Sequence, residues 1–561
     1  MTCWSIVAEN SQKQKKLSDS LNINPIIARL LVNRGIVAPD EARTFLNPSL
    51  SNIPNPFLLP DMEKAVARIV QAIEAGERIA VFGDFDADGI CSTALLFRFF
   101  KKIGVHVETI IPHRIEHGYG LNLELITKNK PQLVITVDTG SNDEKVIGKA
   151  KKAGIDIIVT DHHTIEQSPK SAIATVNPKL STNKFPDDDL SGCGVAFCLI
   201  MALRKSLREL GKLKEEPNLK DLLDLVAMAT IADMVPLTGT NRILTKIGME
   251  VIAKGSNPGI SALLEVSSTS HNPTSQDIAF RLAPRINAAG RLHDASIALK
   301  LLISEDPVEC KNIADELNSL NSKRQQTEAK IISDAHEILK NSKDNSGIVL
   351  HSEEWHLGVM GIAASKLANS YGTPVAIFAK DGDSWRGSVR SKADIDIMKV
   401  LGECSDLLIK FGGHKAAAGI SIADENLELF KSRFDEICLK YFPENYEERL
   451  KIDALLNIDD ITEKLIDDMD KMEPFGNSNP EPLFGLNNIN VASVKVIKEK
   501  HLKLNLKGAT NHIEAIGFGF GHLASTIGEN TSIAFRPEFN TWQGVRSVQL
   551  RVREVRTSDM L

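Results

Sequence analysis

The spacing of apolar residues divides the chain into regions of different period. From Ile79 short apolar runs recur, each followed by a polar turn and a helix-like segment: Ile79-Ala80-Val81-Phe82, Val105 to Ile111, Leu133 to Val137, Ile155 to Val159 and Ala172 to Val176. Runs of this length between helical stretches predict alternating strands and helices, and so a mainly parallel, doubly wound α/β sheet. Ahead of them, residues 21–50 read as short helical pieces broken by Pro and Asn. Asp306-Pro307 opens a segment with no further Pro or Gly before Gly347. Asp is a good N-cap and Pro a good first helical residue, so the segment reads as one helix of about 34 residues, roughly 50 Å long, bridging two domains. A helix pair broken near Asn318–Asn321 fits the pattern equally.

A second α/β region follows, with strands expected at Ile348 to Leu350, Val375 to Phe378 and Ser388-Val389. From about residue 450 the period becomes two, as in Leu502, Leu504, Leu506 and Val548, Leu550, Val552, which predicts a small β-barrel. The expected division is an N-terminal segment 1–50 grouped with a first domain 51–305, a connecting helix 306–343, a second domain 344–447 and a barrel 448–561.

At 561 residues the chain is too long for one core, which agrees with several domains. Apolar (42%) and charged (25%) fractions are those of a globular protein, and no run of about eighteen apolar residues suggests a membrane helix. Residues 1–16 lack the apolar core of a signal peptide, and no room is expected for a further domain after the barrel. Seven scattered cysteines with no C-x-x-C pair argue against a disulfide framework or a cysteine zinc site, and suit a reducing cytoplasm. The net charge of −7 does not advertise a nucleic-acid binder, but a carboxylate metal site would itself concentrate acid.

The candidate chemistry lies at the ends of the predicted strands. Ile79–Phe82 runs into Gly83-Asp84-Phe85-Asp86-Ala87-Asp88-Gly89, Leu133–Val137 ends in Asp138-Thr139-Gly140, and Ile155–Val159 ends in Asp161-His162-His163. Asp233 closes a later apolar stretch, Thr230-Ile231-Ala232. In an open α/β sheet the ligand crevice lies outside the carboxyl ends of the strands, so these groups are expected at one edge. Asp after a strand is also a common turn former, and alternating aspartates can form a calcium loop. The calcium loop fails here, because its twelfth position from Asp84 is Leu95 rather than Glu. Clustered carboxylates with a few imidazoles suit two Mn²⁺ or Mg²⁺ ions. Such a pair, about 4 Å apart, can activate water and stabilise a leaving oxygen in phosphoester hydrolysis.

Gly-Asp-Phe-Asp-Ala-Asp-Gly, Val-Asp-Thr-Gly, Asp-His-His and Ala-Asp-Met-Val-Pro-Leu resemble the four motifs of the DHH phosphoesterase superfamily, and their wording resembles its RecJ family. The resemblance extends over roughly residues 20–555. It implies metal ligands at Asp84, Asp86, Asp138, His162 and Asp233, with Asp138 bridging. It places Asp88 and Asp161 as supporting groups and His163 at the scissile phosphate or leaving group. Downstream, Glu354 to Lys366, Ser388-Val389-Arg390-Ser391 and Gly412-Gly413-His414 resemble a DHHA1 domain, in which the Gly-Gly-His motif contacts substrate; standing alone it would read as a helix-to-strand turn.

Arg114, Ser388 and Arg390 resemble a family pocket for a terminal 5′-phosphate. Arg285 and Arg291, in Pro-Arg-Ile-Asn-Ala-Ala-Gly-Arg, resemble a family hallmark expected to line the DNA path. The C-terminal β region, with its motif at residues 473–484, resembles the family's oligonucleotide-binding (OB) barrel, although Ser478 stands where the family pattern usually has Gly. In the barrel, Phe535, Phe539 and Trp542 are candidate stacking residues, although most such aromatics are expected in the barrel core, and Arg546, Arg551 and Arg553 are candidate phosphate contacts.

The implied activity is 5′→3′ exonucleolytic hydrolysis of single-stranded DNA to 5′-mononucleotides, in repair and recombination, in a groove that admits one strand. Single-strand-binding protein and a RecQ-type helicase are the partners implied, no membrane is involved, and a cytoplasmic monomer is expected. The rival readings are a DHH hydrolase of short or cyclic nucleotides or polyphosphate, which would lack the barrel, and a non-catalytic DNA-binding scaffold, which would have lost ligand positions.

Overall fold

The computed structural model describes residues 3–340, 345–443, 449–528, 531–542 and 544–557. The expected boundaries at 343/344 and 447/448 fall outside the described residues. The first sheet has five strands, all parallel, in the order Val107–Ile110, Ile79–Gly83, Leu133–Val137, Asp156–Thr160, Ala174–Val176. Two of its three interior strands, Ile79–Gly83 and Leu133–Val137, are buried along their whole length, which explains why they read as continuous apolar runs rather than alternations. Helices pack on both faces, among them Ala87–Lys102 and Gly192–Glu209 on one and Glu144–Lys152 on the other. The carboxyl ends of the strands therefore open onto one edge.

The segment after Asp306 is one helix, Pro307–Leu339, with Asp306 capping Val308 N–H. No break occurs at Asn318–Asn321, because both asparagines serve side-chain partners instead of the local backbone. Asn318 Oδ1 accepts from Arg285 and Asn321 Oδ1 from Arg324. Cys310, Ile313, Ala314 and Leu317 join the core of the first domain, whereas Ile331 and Ala335 join that of the second. The second domain is a mixed five-stranded sheet ordered Leu408–His414, Ala417–Ala423, Ser384–Arg390, Val375–Asp381, Ile348–Ser352. Gly412-Gly413-His414 is not a helix-to-strand turn: it ends one strand of an antiparallel hairpin whose return strand begins at Ala417.

The C-terminal region is a seven-stranded, mostly antiparallel sheet, from Ala454–Leu455 at one edge to Val491–Ile497 at the other. Leu502, Leu504, Leu506, Leu550 and Val552 are buried, as their alternation predicts. The N-terminal segment is grouped differently from expectation. Its helices Ser11–Leu21, Pro25–Asn33 and Pro39–Leu46 bury Leu17, Ile27, Leu30, Leu31 and Phe45 in the same core as Leu465, Phe484 and Leu550. The strand Cys3–Ile6 pairs in parallel with Arg449–Ile452. These helices are amphipathic, and the apolar face available to them belongs to the C-terminal region rather than to the first domain. Among the described residues, no helix is long and apolar enough to cross a membrane.

Candidate metal centre and phosphate cavity

Each loop at the sheet edge is built so that carboxylates face inward. Asp86 caps the helix Ala87–Lys102 by accepting from Asp88 and Gly89 N–H at 3.0 and 3.1 Å. Asp88 reaches across to the helix Gly192–Glu209, where its carboxylate accepts from Gly192 N–H (2.7 Å) and Cys193 N–H (2.8 Å). A helix N-terminus favours such an anion through its orphan amides and its dipole. Asp138 has φ +60°, a strained backbone for a non-glycine residue, of the kind that persists where function demands it. Gly192 sits against it so closely that a Cβ there would lie 2.7 Å from Asp138 Cβ.

Three sets of ligand atoms come together, each within 4.8 Å: Asp84, Asp86, Asp138; Asp88, His162, Asp233; and Asp138, His162, His163. Asp138 and His162 each belong to two of these sets. Asp138 Oδ1 and His162 Nε2 are 3.1 Å apart, buried, and both without a hydrogen-bond partner. Two buried orphan lone-pair atoms facing each other at that distance are what a shared cation would satisfy, and oxygen with imidazole nitrogen suits Mn²⁺ or Mg²⁺.

The electrostatics agree. Burial first, and neighbouring carboxylates second, push Asp84, Asp88, Asp138 and Asp233 well above the usual carboxylate range, a conflict that divalent cations relieve. Burial, then the charge of His163, pushes His162 down to about 4, so its ring is neutral and able to ligate. Burial also acts downward on His163, but the hydrogen bond from its Nδ1 to Asp161 Oδ1 (2.7 Å) and the Asp161 charge overcome it and raise His163 to about 9. Asp161 is raised by burial, yet its bonds with His163 and Ser141 N–H hold it well below the ordinary range. The pair is thus an imidazolium–carboxylate, with Nε2 3.0 Å from the Tyr119 hydroxyl.

A second site adjoins the first. Arg114 stacks its guanidinium 4.9 Å over the ring of Phe85, the residue between Asp84 and Asp86. Arg114, Arg291, Ser388 and Arg390 line one cavity of about 420 Å³ between the first and second domains. Arg390 donates to Ser388 Oγ at 2.9 Å, and Arg291 donates across the domain boundary to Gly358 O at 3.1 Å. Burial, then repulsion from Arg114 and Arg324, lowers Arg291 to about 10, and burial with Arg114 lowers Arg390. All remain cations at neutral pH, and their mutual repulsion is relieved by a bound anion.

Arg285 is not brought into this cavity; its Nε donates 3.0 Å to Asn318 on the connecting helix. His414 lies on the other side, sharing a recess of about 360 Å³ with Tyr119, Asp161 and His163, and Gly412 and Gly413 precede it on the same strand. Of the barrel candidates, Phe535 is fully buried core, Phe539 is half-buried beneath the Arg546 guanidinium at 3.3 Å, and the Trp542 side chain lies outside the described residues. Arg546 pairs with Asp467, and Arg553 is exposed.

Sequence reasoning missed four contributors. Tyr119 follows Arg114 in a Gly-Tyr-Gly turn. Asn287, inside the hallmark helix, accepts from Ala87 N–H at 2.8 Å and so fixes the aspartate loop. Gly192 follows the N-cap Ser191. Phe518, half exposed and beside Arg551, is a better stacking surface than Phe535. Only the Asn287 signal lay inside a run already singled out.

Comparison with known proteins follows the same division. Residues 78–230 match the DHH family N-terminal domain, 344–440 the DHHA1 domain and 452–554 the RecJ OB domain. The single-stranded-DNA-specific exonuclease RecJ of Escherichia coli is 36% identical, with 94% of this chain and 92% of that protein covered; the Bacillus subtilis RecJ is 34% identical, covering 99% and 71%. The crystal structure of Thermus thermophilus RecJ in complex with Mn²⁺ superposes with a TM-score of 0.85 at 31% identity, covering 99% of this chain and 80% of that one, and its Mg²⁺ complex gives 0.80. With the three domains in family order and the carboxylate–histidine centre intact, the chain belongs to the RecJ family of metal-dependent, single-stranded-DNA-specific exonucleases.

Proposed function

We propose that the chain degrades single-stranded DNA from its 5′ end to 5′-mononucleotides, in DNA repair and recombination. The observation that carries the polarity is Arg114 on Phe85: one side chain joins the arginine cavity to the carboxylate centre. A 5′-phosphate held by Arg114, Arg291, Arg390 and Ser388 is anchored beside Asp84 and Asp86, and the next phosphodiester then faces the centre.

Asp84, Asp86, Asp138, His162 and Asp233 are the residues to hold two divalent ions, which would lower the pKa of water and neutralise charge developing on the phosphoryl oxygens. Water adds to phosphorus while the bond to the 3′-oxygen breaks. The His163 imidazolium, oriented by Asp161, is placed to protonate that oxygen from Nε2. Asp88 acts by holding the Gly192 helix against Asp138. Breaking the bond to the 3′-oxygen leaves a new 5′-phosphate on the shortened strand, so each product is the next substrate. His414 and the strand carrying Gly412 and Gly413 flank His163 and contact the strand being cut.

Phe518, Arg551 and Arg553 offer a stacking and phosphate surface for the strand beyond the active site. The reading further includes a monomer working in the cytoplasm, with single-strand-binding protein and a RecQ-type helicase as partners.

The test is digestion of matched 5′- and 3′-labelled single strands with Mn²⁺, Mg²⁺ or chelator. The reading expects mononucleotide release from the 5′ label first, and none with chelator. Prior release from the 3′ label would reject it.

A further inference from the structure

The carboxylate of Asp233 rides on a stretch of backbone that its own domain does not fully hold. Asp233 caps the C-terminal end of the helix Leu223–Ala232. The chain then turns through Met234, which has φ +58° and an exposed side chain, before the helix Gly239–Ala253 begins. Within the domain, Asn241 Nδ2 holds Pro236 O at 3.0 Å. The Asp233 and Met234 N–H groups donate to Ala229 O (2.9 Å) and Ile231 O (3.3 Å) of the preceding helix, and the OB domain adds a second grip. Asn477 Nδ2 donates to Met234 O at 2.8 Å, and Leu237 N–H donates to Asn477 O at 2.9 Å. The neighbouring Gly476 admits the Leu237 side chain so closely that a Cβ there would lie 2.7 Å from Leu237 Cδ1.

The loop that presents Asn477 is itself fixed. Gly476 and Asn479 exchange backbone hydrogen bonds, and the fully buried Asn479 donates to Met472 O and Pro474 O. From the first domain, Arg242, stacked 3.8 Å over Phe45, donates to Phe45 O, Lys471 O and Glu473 O; Lys246 donates to the last two as well. Arg242 is buried and satisfied by carbonyls, with no ion pair among the described residues, an arrangement that fixes orientation rather than gaining ion-pair energy. The two domains are therefore locked together on both sides of the Asp233 tail.

We propose that Asn477 is a positioning residue for Asp233, so that the metal centre of the first domain is completed by a loop of the OB domain. The proposal rests on Asp233 being a metal ligand. Groups that orient ligands from behind govern affinity as well as turnover: losing one typically weakens metal binding by about 10- to 100-fold. Here only one hydrogen bond of two would be removed, so the lower end applies.

The experiment titrates the full-length, metal-stripped protein with MnCl2 and reads free Mn²⁺ by electron paramagnetic resonance, for the parent, Asn477→Ala, Gly476→Ala and Asp233→Ala. Circular dichroism and thermal melts on the same samples establish folding. Asn477→Ala is expected to weaken the poorer-binding Mn²⁺ site about tenfold, with Gly476→Ala changing it in the same direction. Turnover is expected to recover at raised Mn²⁺ with an unchanged KM for a long strand. If Asp233→Ala weakens Mn²⁺ binding but both loop variants bind as the parent does, the proposal is overturned while the metal centre stands. If Asp233→Ala itself binds as the parent does, the metal-centre reading fails at that residue and the proposal with it. A loop variant that lowers only the melting temperature, with Mn²⁺ affinity intact, also overturns it.

Discussion

The crevice at the strand ends and the cavity behind Phe85 are both largely buried and both crowded with like charges, but their signs are opposite. In the crevice, aspartates are pushed up by burial and by one another; in the cavity, burial pushes Arg114, Arg291 and Arg390 down, neighbouring arginines add to this for Arg291 and Arg390, and Asp84 and Asp86 oppose it for Arg114. Each cluster is electrostatically incomplete, and different species complete them: divalent cations on one side, a phosphate on the other. On the proposed function a nucleotide with a terminal phosphate and a scissile one would satisfy both, and the phenylalanine between them would set the register of cutting.

The largest way to break this comparison is to remove the residue both halves of the crevice share. Asp138→Ala is expected to lower kcat by about 10³-fold or more, equivalent to roughly 4 kcal/mol of transition-state stabilisation. Single-strand binding, followed by fluorescence anisotropy, should remain close to that of the parent, because the arginines and the OB domain are untouched. Normal turnover in Asp138→Ala would sink the metal-centre reading. The cavity is broken next. Arg114→Ala should lose about 10- to 100-fold in kcat/KM on 5′-phosphorylated strands, the worth of a charge-assisted hydrogen bond or two, while 5′-hydroxyl strands change little. Arg114→Lys should restore little of it, since an ammonium lacks the planar fork. Equal losses on both substrates would show that the cavity does not read the end.

The smallest and sharpest change is Phe85→Leu, which keeps the aspartates and removes the platform under Arg114. A cation–π contact of about 0.5–2 kcal/mol predicts a loss of a few-fold up to ~30-fold, confined to phosphorylated ends. An effect on Mn²⁺ affinity with end preference unchanged would mean that Phe85 belongs to the crevice alone.

The acidic crevice was legible in the sequence because strand periodicity and strand-end placement are local properties. Asp84, Asp138 and His162 could be set at one edge with no knowledge of packing. The cavity was legible only through family resemblance, since Arg114 and Arg390 are brought together by the docking of separate domains. Tyr119, Asn287 and Gly192 act through contacts between distant parts of the chain, which no local pattern announces. The unbroken helix Pro307–Leu339 was ambiguous for a related reason: asparagines usually compete with helical hydrogen bonds, and tertiary partners decide whether they do. Ser478 gave a correct local warning. Its φ of +59° is the conformation a glycine would take without strain.

The union of the first three helices with the C-terminal core has a consequence for synthesis. Leu17 to Leu46 emerge from the ribosome about 400 residues before Ala454 and the strands they pack against. At about 5–20 residues per second that is a wait of roughly 20 to 80 s, far longer than a small helical unit needs to collapse. During that interval the apolar faces of these helices have no native surface to cover them, while the metal-holding domain between can already fold. The newborn chain is therefore expected to lean on holdase chaperones at its N terminus, at a stage when the first domain can fold but still lacks the OB-domain loop against its Asp233 segment.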